Sequence, residues 1–286
     1  MLRLRMPEWR RVAFSLALSL WPQVSSAACE VRDFMALSLP STEERSEIAL
    51  ALELAFPGLA VDEVNRTVTL SGETFALGQD SGRPAPQRLA NPSIAEMFTQ
   101  VYPLAFDLER RKKPWEDPGR ARHEGLLRAL FGQSEGEVAA SLIRVEYRGA
   151  TQSARFLANS RHCVAPQLQA ALDAIALEGP AMDRFFATVG GSFNWRVIAG
   201  TERLSAHSFG IAVDFNTELG SYWRWSGAAE GNVGDYVNLY PEALVRQMER
   251  FGFIWGGKWH HFDGMHFEYR PELILYARLV EKTSQQ

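Results

Sequence analysis

Residues 205–216 read SAHSFGIAVDFN and decide the fold of the C-terminal part of the chain. Ile211, Val213 and Phe215 alternate with small or polar residues, a period of two that is typical of a β-strand with one apolar face. Asp214 then points away from the core side of this strand. A carboxylate in so apolar a segment needs a partner, because burying it unpaired costs several kcal/mol.

His207 lies seven residues before Asp214, so a continuous strand would place the two side chains on opposite faces. Gly210 between them can supply a bend that lets both side chains converge. Ala212 is small and shares the face of Asp214, which leaves space for a ligand. A lone histidine is more often a buried core residue, but this pattern favours a ligand role for His207.

A second group of acidic and histidine side chains follows about fifty residues later, where residues 255–268 read WGGKWHHFDGMHFE. His266 and Glu268 share one face of the strand that the end of this segment predicts, and the apolar residues beside them share the other. Asp263 precedes a glycine that permits a turn, so its carboxylate can approach the face of His266 and Glu268 from the loop.

Two imidazoles and one carboxylate form a set of three protein ligands, which leaves a fourth zinc position open for water as in catalytic sites. His207, Asp214 and His266 are the candidate ligands. Zinc lowers the pKa of its bound water to about 7 and polarises a carbonyl group. A base must take the proton and pass it to the leaving amine, and Asp263 is the best placed candidate. The alternative is that Asp263 only starts a turn with Gly264.

In motif form the residues read Ser-x-His-x-x-Gly-x-Ala-x-Asp, followed by an acidic residue three positions before a histidine. This combination resembles the D-alanyl-D-alanine carboxypeptidase and dipeptidase family of zinc peptidases, which includes L-alanyl-D-glutamate endopeptidases. The resemblance implies a small α+β domain built on an antiparallel sheet with flanking helices. It also implies zinc as the cofactor, with His207, Asp214 and His266 as its ligands and Asp263 as the catalytic base.

Arg196 and Ser205 resemble the residues that position the substrate in this family. Such substrates carry carboxylates, so a cation near the metal is expected; the alternative for Arg196 is a surface charge or a salt bridge. Family members often have glutamate in place of Asp263 and tryptophan in place of Met265. This difference favours the endopeptidase-like branch and leaves open which peptide bond is cleaved.

Several other residues near the motifs could also contribute to the site. Glu268 and the histidines at 260 and 261 either orient the metal ligands or, in the case of the two histidines, lie at the solvated surface. Nearby tryptophans either line a groove for a peptide or glycan or belong to the core, as aromatic residues at such spacing more often do. These tryptophans are Trp223, Trp225, Trp255 and Trp259.

Residues 1–28 have the layout of a secretory signal peptide, with a basic start, an apolar run and a stretch of small residues. Cleavage near Ala27 or Ala28 would export the mature protein to the periplasm or cell envelope. These residues carry four arginines and one glutamate, so their removal lowers the formal net charge from −4 to −7. An acidic chain argues against a nucleic-acid partner. No later stretch reaches the roughly 20 apolar residues that a membrane-spanning helix needs.

The chain has 286 residues, of which 46% are apolar and 22% charged, a composition typical of a folded globular protein. We expect an α+β fold with a mostly helical accessory region of unknown role at residues 29–150 and a zinc peptidase domain at residues 151–286. Cys29 and Cys163 either pair in an oxidising compartment or remain two unpaired core residues.

Capping and breaking residues predict individual elements of the fold. Residues 41–44 read STEE, a capping box that predicts a helix through Phe56. Alternating residues near 60–77 predict a short hairpin. Residues 181–189 predict a further helix, stopped by Gly190 and the glycine after it.

The candidate zinc site predicts a metallopeptidase, and the family resemblance implies its substrate. By that resemblance the chain hydrolyses D-amino-acid-containing bonds in the stem or crosslink peptides of peptidoglycan, as a carboxypeptidase or an endopeptidase. The competing hypothesis is a non-catalytic, zinc-stabilised module that binds cell-wall peptides or an envelope partner. A third hypothesis is a peptidase that acts on host or envelope proteins. Asp263 favours catalysis, because a structural site needs no base beside an open coordination position. The oligomeric state stays open.

Overall fold

The computed structural model describes residues 29–285, and the predicted signal peptide at residues 1–28 lies outside them. Helices and small antiparallel sheets make up the chain, which confirms the predicted α+β class. The α-helices described are α1 Glu47–Ala55, α2 Ala85–Ala90, α3 Glu124–Phe131, α4 Glu135–Ser141, α5 Val164–Leu177, α6 Glu242–Arg250 and α7 Pro271–Ser284. The strands described are β1 Leu59–Asp62, β2 Thr67–Leu70, β3 Glu73–Ala76, β4 Leu142–Arg148, β5 Ser153–Asn159, β6 Val189–Gly191, β7 Ala212–Asn216, β8 Phe253–Trp255 and β9 His266–Tyr269.

The described strands form three antiparallel sheets. Strands β1, β2 and β3 form a meander, which adds one strand to the hairpin predicted near residues 60–77. Strand β4 pairs with β5, and the third sheet has the order β6-β7-β9-β8. This four-stranded sheet carries the candidate metal ligands Asp214 and His266 on its two central strands.

The core side of the four-stranded sheet is aromatic. Phe215 of β7 and Phe267 of β9 are fully buried, with ring centroids 5.0 Å apart. Phe186, from the 3-10 helix Pro180–Phe186, packs on Phe215 with a centroid distance of 4.7 Å. These contacts set the strand register, because a slip of one residue would turn Asp214 into the core and the aromatic rings out of it.

Residues 29–150 share one apolar core with the rest of the chain. Helix α1 packs against α7, and Leu52 and Leu279 belong to the same cluster of buried side chains. A disulfide joins Cys29 to Cys163, so the first of the two alternatives for these cysteines is correct. Strands β4 and β5 pair across residue 150, and the division of the chain at that residue stays a proposal. No helix within residues 29–285 is long and apolar enough to cross a bilayer.

The capping box predicted at residues 41–44 does not begin a helix. Helix α1 begins six residues after Ser41, and Ser46 is its N-cap because its Oγ accepts a hydrogen bond of 3.2 Å from Ala49 N. The backbone N–H of Ser46 donates to the carboxylate of Glu63 at 3.1 Å. A glutamate from the loop after β1 therefore takes the part that a glutamate inside the helix would take in a capping box.

The helix predicted over residues 181–189 is wrong at its last three residues. A 3-10 helix covers Pro180–Phe186, and β6 follows after two residues. Gly190 lets β6 lie close to β7, because a Cβ at this position would lie 2.8 Å from the Cβ of Asp214. The glycine therefore serves a close approach between strands rather than the end of a helix.

Candidate metal centre

The segment before β7 places His207. Residues Ala206–Phe209 form one 3-10 turn, and Ser205 caps it because its Oγ accepts a hydrogen bond of 3.3 Å from His207 N. Gly210 ends the turn in the left-handed region, with a φ of 65°. A Cβ at Gly210 would also lie 2.7 Å from a side-chain carbon at the start of β4. The predicted bend is confirmed, and it turns His207 toward Asp214.

The three candidate ligands converge on one point. Asp214 on β7 lies directly opposite His266 on β9. His207 Nε2 lies 3.2 Å from His266 Nδ1, and the carboxylate oxygens of Asp214 lie 3.3 Å and 3.0 Å from these two nitrogens. All three ligand atoms lie within 4.8 Å of one another. A tetrahedral zinc ion with ligands about 2.1 Å away would separate them by about 3.4 Å, so the spacing fits a single ion.

The remote nitrogens of both histidines have partners that orient the rings. His207 Nδ1 lies 2.5 Å from the carbonyl oxygen of Ser192, in the segment that follows β6. His266 Nε2 lies 3.4 Å from Glu268 Oε2, two residues along β9. Each ring therefore presents its other nitrogen to the shared point, the arrangement by which proteins set the tautomer of a metal-binding histidine.

Two arginines hold Glu268 in turn. Arg122 Nε donates to Glu268 Oε1 at 2.7 Å, and a second N–H of the same guanidinium donates to Oε2. Arg270 Nη1 lies 3.4 Å from Glu268 Oε1. Arg122 belongs to no motif and lies 146 residues from Glu268, so no local pattern pointed to it.

The carboxylates and the imidazoles at the centre shift each other's pKa values. Burial alone would raise the pKa of Asp214, but His207 and His266 hold it well below its usual range. Burial alone would lower the pKa of His266, but the carboxylates of Asp214 and Glu268 raise it to about 10. A ligand imidazole is neutral, so a metal ion that binds here displaces a proton from His266.

Asp263 lies in the loop that leads into β9. Its backbone pairs with Tyr222, and its N–H donates to Gly256 O at 3.0 Å. The side chain is half-buried, and its Oδ1 is shielded from solvent without a hydrogen-bond partner among the described residues. Burial, with a further contribution from Asp214, raises the pKa of Asp263 to about 6, although His266 opposes the shift. An orphaned carboxylate oxygen of this kind is suited to hold a proton or a ligand.

A cleft of about 300 Å³ opens over the three candidate ligands and Asp263. Trp223 and Trp259 are buried in its wall, and Trp225, which also lines it, is 63% exposed. Trp255 lies in the core, stacked on Phe106 with a centroid distance of 5.7 Å. Trp223, Trp255 and Trp259 all belong to buried apolar clusters, so the core interpretation fits these three. Of the four tryptophans, Trp225 is the one that lines the cleft with an exposed ring.

Arg196 and Ser205 both line this cleft. The side chain of Arg196 is exposed, while its backbone is fixed by hydrogen bonds to Ser208 Oγ at 2.9 Å and to Ser205 N at 3.0 Å. Ser205 is buried, and its Oγ caps the turn that carries His207. Both residues thus lie beside the candidate centre, and their action on a substrate stays a proposal.

His260 and His261 are buried, which contradicts the alternative that they lie at the solvated surface. His260 Nδ1 lies 2.9 Å from Arg111 O, and His261 Nδ1 lies 2.6 Å from the carboxylate of Asp117. Within residues 29–285 neither histidine hydrogen-bonds a candidate ligand. Both instead fasten the loop before β9 to the segment around residue 117.

Comparison with known proteins agrees with the position of this centre. A family model described as D-alanyl-D-alanine carboxypeptidase matches residues 199–269. The matched segment contains His207, Asp214, Asp263 and His266, whereas Arg196 precedes it. Comparisons with curated proteins and with solved structures found no match. The similarity applies to the segment that holds the candidate centre and covers less than half of the chain.

Proposed function

We propose that this chain is a zinc-dependent peptidase that hydrolyses D-amino-acid-containing peptide bonds of peptidoglycan. The observation that carries the proposal is the convergence of His207, Asp214 and His266, with ligand atoms within 4.8 Å of one another. The orphaned oxygen of Asp263 lies on the same cleft. The match to the D-alanyl-D-alanine carboxypeptidase model supports the same activity and substrate class.

The donor set fits zinc better than a hard cation. Two imidazole nitrogens and one carboxylate oxygen suit zinc, while calcium and magnesium prefer oxygen ligands in larger numbers. When bound, the ion acts as a Lewis acid that polarises the scissile carbonyl and favours ionisation of the attacking water. His207, Asp214 and His266 hold it, and Ser192 O and Glu268 orient the two imidazoles.

Asp263 acts as general base and then general acid in the proposed reaction. It accepts the proton of the attacking water and delivers it to the nitrogen of the leaving amine as the peptide bond breaks. A pKa raised to about 6 by burial suits a group that must take up and release a proton near neutral pH. Arg196 and Ser205, on the same cleft, position the substrate.

A non-catalytic zinc-stabilised module that binds wall peptides is the competing function. Oδ1 of Asp263 argues against it, because this oxygen is buried without a hydrogen-bond partner among residues 29–285. Such an acceptor lowers the stability of the fold, and a module that only binds peptides gains nothing from it. The proposal places the enzyme in the cell envelope after removal of residues 1–28. The disulfide between Cys29 and Cys163 is consistent with such an oxidising compartment.

Digestion of purified peptidoglycan by the mature chain tests this proposal. We expect soluble peptide fragments or released D-alanine, identified by mass, that disappear with a chelator and return with added zinc. The fragment masses also distinguish cleavage at the end of the stem peptide from cleavage within it. Zinc binding without any fragment would favour the binding module, and fragments that persist after complete removal of metal would contradict a metallopeptidase.

A further inference from the structure

Four arginines line the cleft over the candidate metal centre, and two of them have carboxylate partners. Arg120 pairs with Asp117 at 3.1 Å. Arg122 pairs with Glu268, the carboxylate that orients His266. The remaining two cleft arginines are Arg196 and Arg203. The positive charge available to a bound ligand therefore comes from these two side chains.

Arg203 is the less solvated of the two. Its side chain makes no salt bridge or hydrogen bond within residues 29–285, and its Nε is buried without a partner. Burial and the like charges of Arg122 and Arg120 lower its pKa to about 10, so it remains cationic at neutral pH. Glu230, whose charge has the opposite effect, is largely exposed and pairs with Arg224 at 3.2 Å.

Hydrogen bonds fix the backbone around Arg203 and so keep its side chain at the cleft. Ile198 N donates to Arg203 O at 2.8 Å, and Arg203 N donates to Thr201 Oγ1 at 3.2 Å. The next residue, Leu204, donates its N–H to Glu124 of α3 at 3.2 Å. A partly buried cation held beside two others raises the free energy of the unliganded protein, and an anion in the cleft would lower it.

We infer that Arg203 binds a carboxylate of the peptide substrate and so selects acidic peptides over amidated ones. The inference rests on the proposed peptidase function. Arg203 lies four residues before His207 and lines the same cleft, so the bound carboxylate belongs to the substrate that reaches the metal. A guanidinium forms two parallel hydrogen bonds with a carboxylate, which suits it for this discrimination.

A stem peptide with lysine at its third position offers two carboxylates that fit this description, the C-terminal one and the α-carboxylate of its D-glutamate residue. Three synthetic pentapeptides ending in D-alanyl-D-alanine distinguish them: the free acid, its C-terminal amide, and the form amidated at D-glutamate. For the wild-type protein we expect one amidation to raise KM by about 10- to 100-fold, the range for one charged hydrogen-bonding pair. The amidated peptide whose KM increases identifies the carboxylate that Arg203 binds.

The variant Arg203→Gln shows whether Arg203 is responsible. We expect it to raise KM for the free acid by the same factor, to leave KM for the sensitive amide unchanged, and to alter kcat little. Its melting temperature without peptide should equal or exceed that of the wild type, because an uncompensated cation is removed. Arg155→Gln, at an exposed position on β5 outside the cleft, is the matched control.

Several results would overturn the inference while leaving the peptidase intact. The first is that neither amidation changes KM for the wild-type protein. The second is that Arg203→Gln raises KM equally for the free acid and the amide. The third is that Arg203→Gln has a lower melting temperature than the wild type and no longer binds zinc. Calorimetry of the free acid with Asp263→Asn separates the two proposals further. If the peptide binds in a way that depends on Arg203 but the wild type hydrolyses nothing, only the proposed peptidase function is refuted. If there is neither such binding nor hydrolysis, the peptidase function and the role of Arg203 are both refuted.

Discussion

Arg122 and Glu268 form an ion pair that joins the N-terminal region to the candidate metal centre. Arg122 Nε donates to Glu268 Oε1 at 2.7 Å, across 146 positions of sequence. The other oxygen of Glu268 lies 3.4 Å from Nε2 of His266, the nitrogen that faces away from the other ligands. Arg122 thus sets the position of the carboxylate, and the carboxylate sets the orientation of the imidazole.

Replacement of Arg122 by glutamine should weaken zinc binding by about 10- to 100-fold, as is typical when an outer partner of a metal ligand is removed. Of its two arginine partners, the buried carboxylate of Glu268 would keep Arg270, at 3.4 Å. Competition of the purified protein with a chromophoric chelator measures the effect. Arg128→Gln, which removes an arginine of α3 paired with Glu124, is the control. Equal zinc affinities of the two variants would contradict the positioning role.

Replacement of Asp263 by asparagine should lower kcat by about 10²- to 10⁴-fold, the contribution typical of a general base. Asparagine keeps the shape of the side chain but cannot accept the proton. Zinc stoichiometry should remain that of the wild type, as measured by elemental analysis. Asp235→Asn changes an exposed residue outside the cleft and should retain full activity. Hydrolysis by Asp263→Asn at the wild-type rate would remove this residue from the mechanism.

The candidate ligands could be predicted from the sequence because their signals are local. Asp214 and His266 each stand in a short strand whose alternation assigns them to the polar face. Gly210 marks the bend that brings His207 to the same side. Each of these signals spans fewer than a dozen residues, and the structure brings the three side chains together as expected.

The features that the sequence did not reveal depend on contacts between distant segments. Arg122 lies 146 residues from its partner, and nothing around it marks it as different from other arginines. The pairing of Cys29 with Cys163, 134 residues apart, follows from a fold that places them together. Gly190 looked like a helix stop, whereas its actual role is a close approach of β6 to Asp214 that only the sheet explains.

Removal of the disulfide should lower the stability of the folded chain. A crosslink between residues 134 positions apart restricts the unfolded chain, and loss of such a crosslink typically costs about 2–5 kcal/mol in the free energy of unfolding. The double variant Cys29→Ser, Cys163→Ser should therefore unfold at lower urea concentration. Reductant should bring the wild type to the same midpoint and leave the variant unaffected. A wild-type midpoint that does not respond to reductant would show that the cysteines are not paired.

The stability of the protein should fall in mild acid because of His162. The imidazole packs edge-on against Phe56 and Phe131, with centroid distances of 5.5 Å and 5.9 Å. Burial, and to a smaller extent Arg161, lower its pKa from 6.5 to about 4. Between these values the unfolded chain binds a proton at His162 that the folded chain does not, so the free energy of unfolding falls as the pH falls through this window. The shift corresponds to at most about 3 kcal/mol.

The variant His162→Asn isolates this contribution from that of other titrating groups. Asparagine does not titrate, and it tolerates the left-handed backbone at this position, where φ is 49°. Urea unfolding of both proteins between about pH 7.5 and pH 4 gives the comparison. Above about pH 7 the two stability curves should run parallel, since the histidine is neutral in both folded and unfolded chains. Below about pH 6.5 the wild-type curve should fall more steeply. Curves that stay parallel down to pH 4 would show that the folded chain protonates His162 as readily as the unfolded chain does.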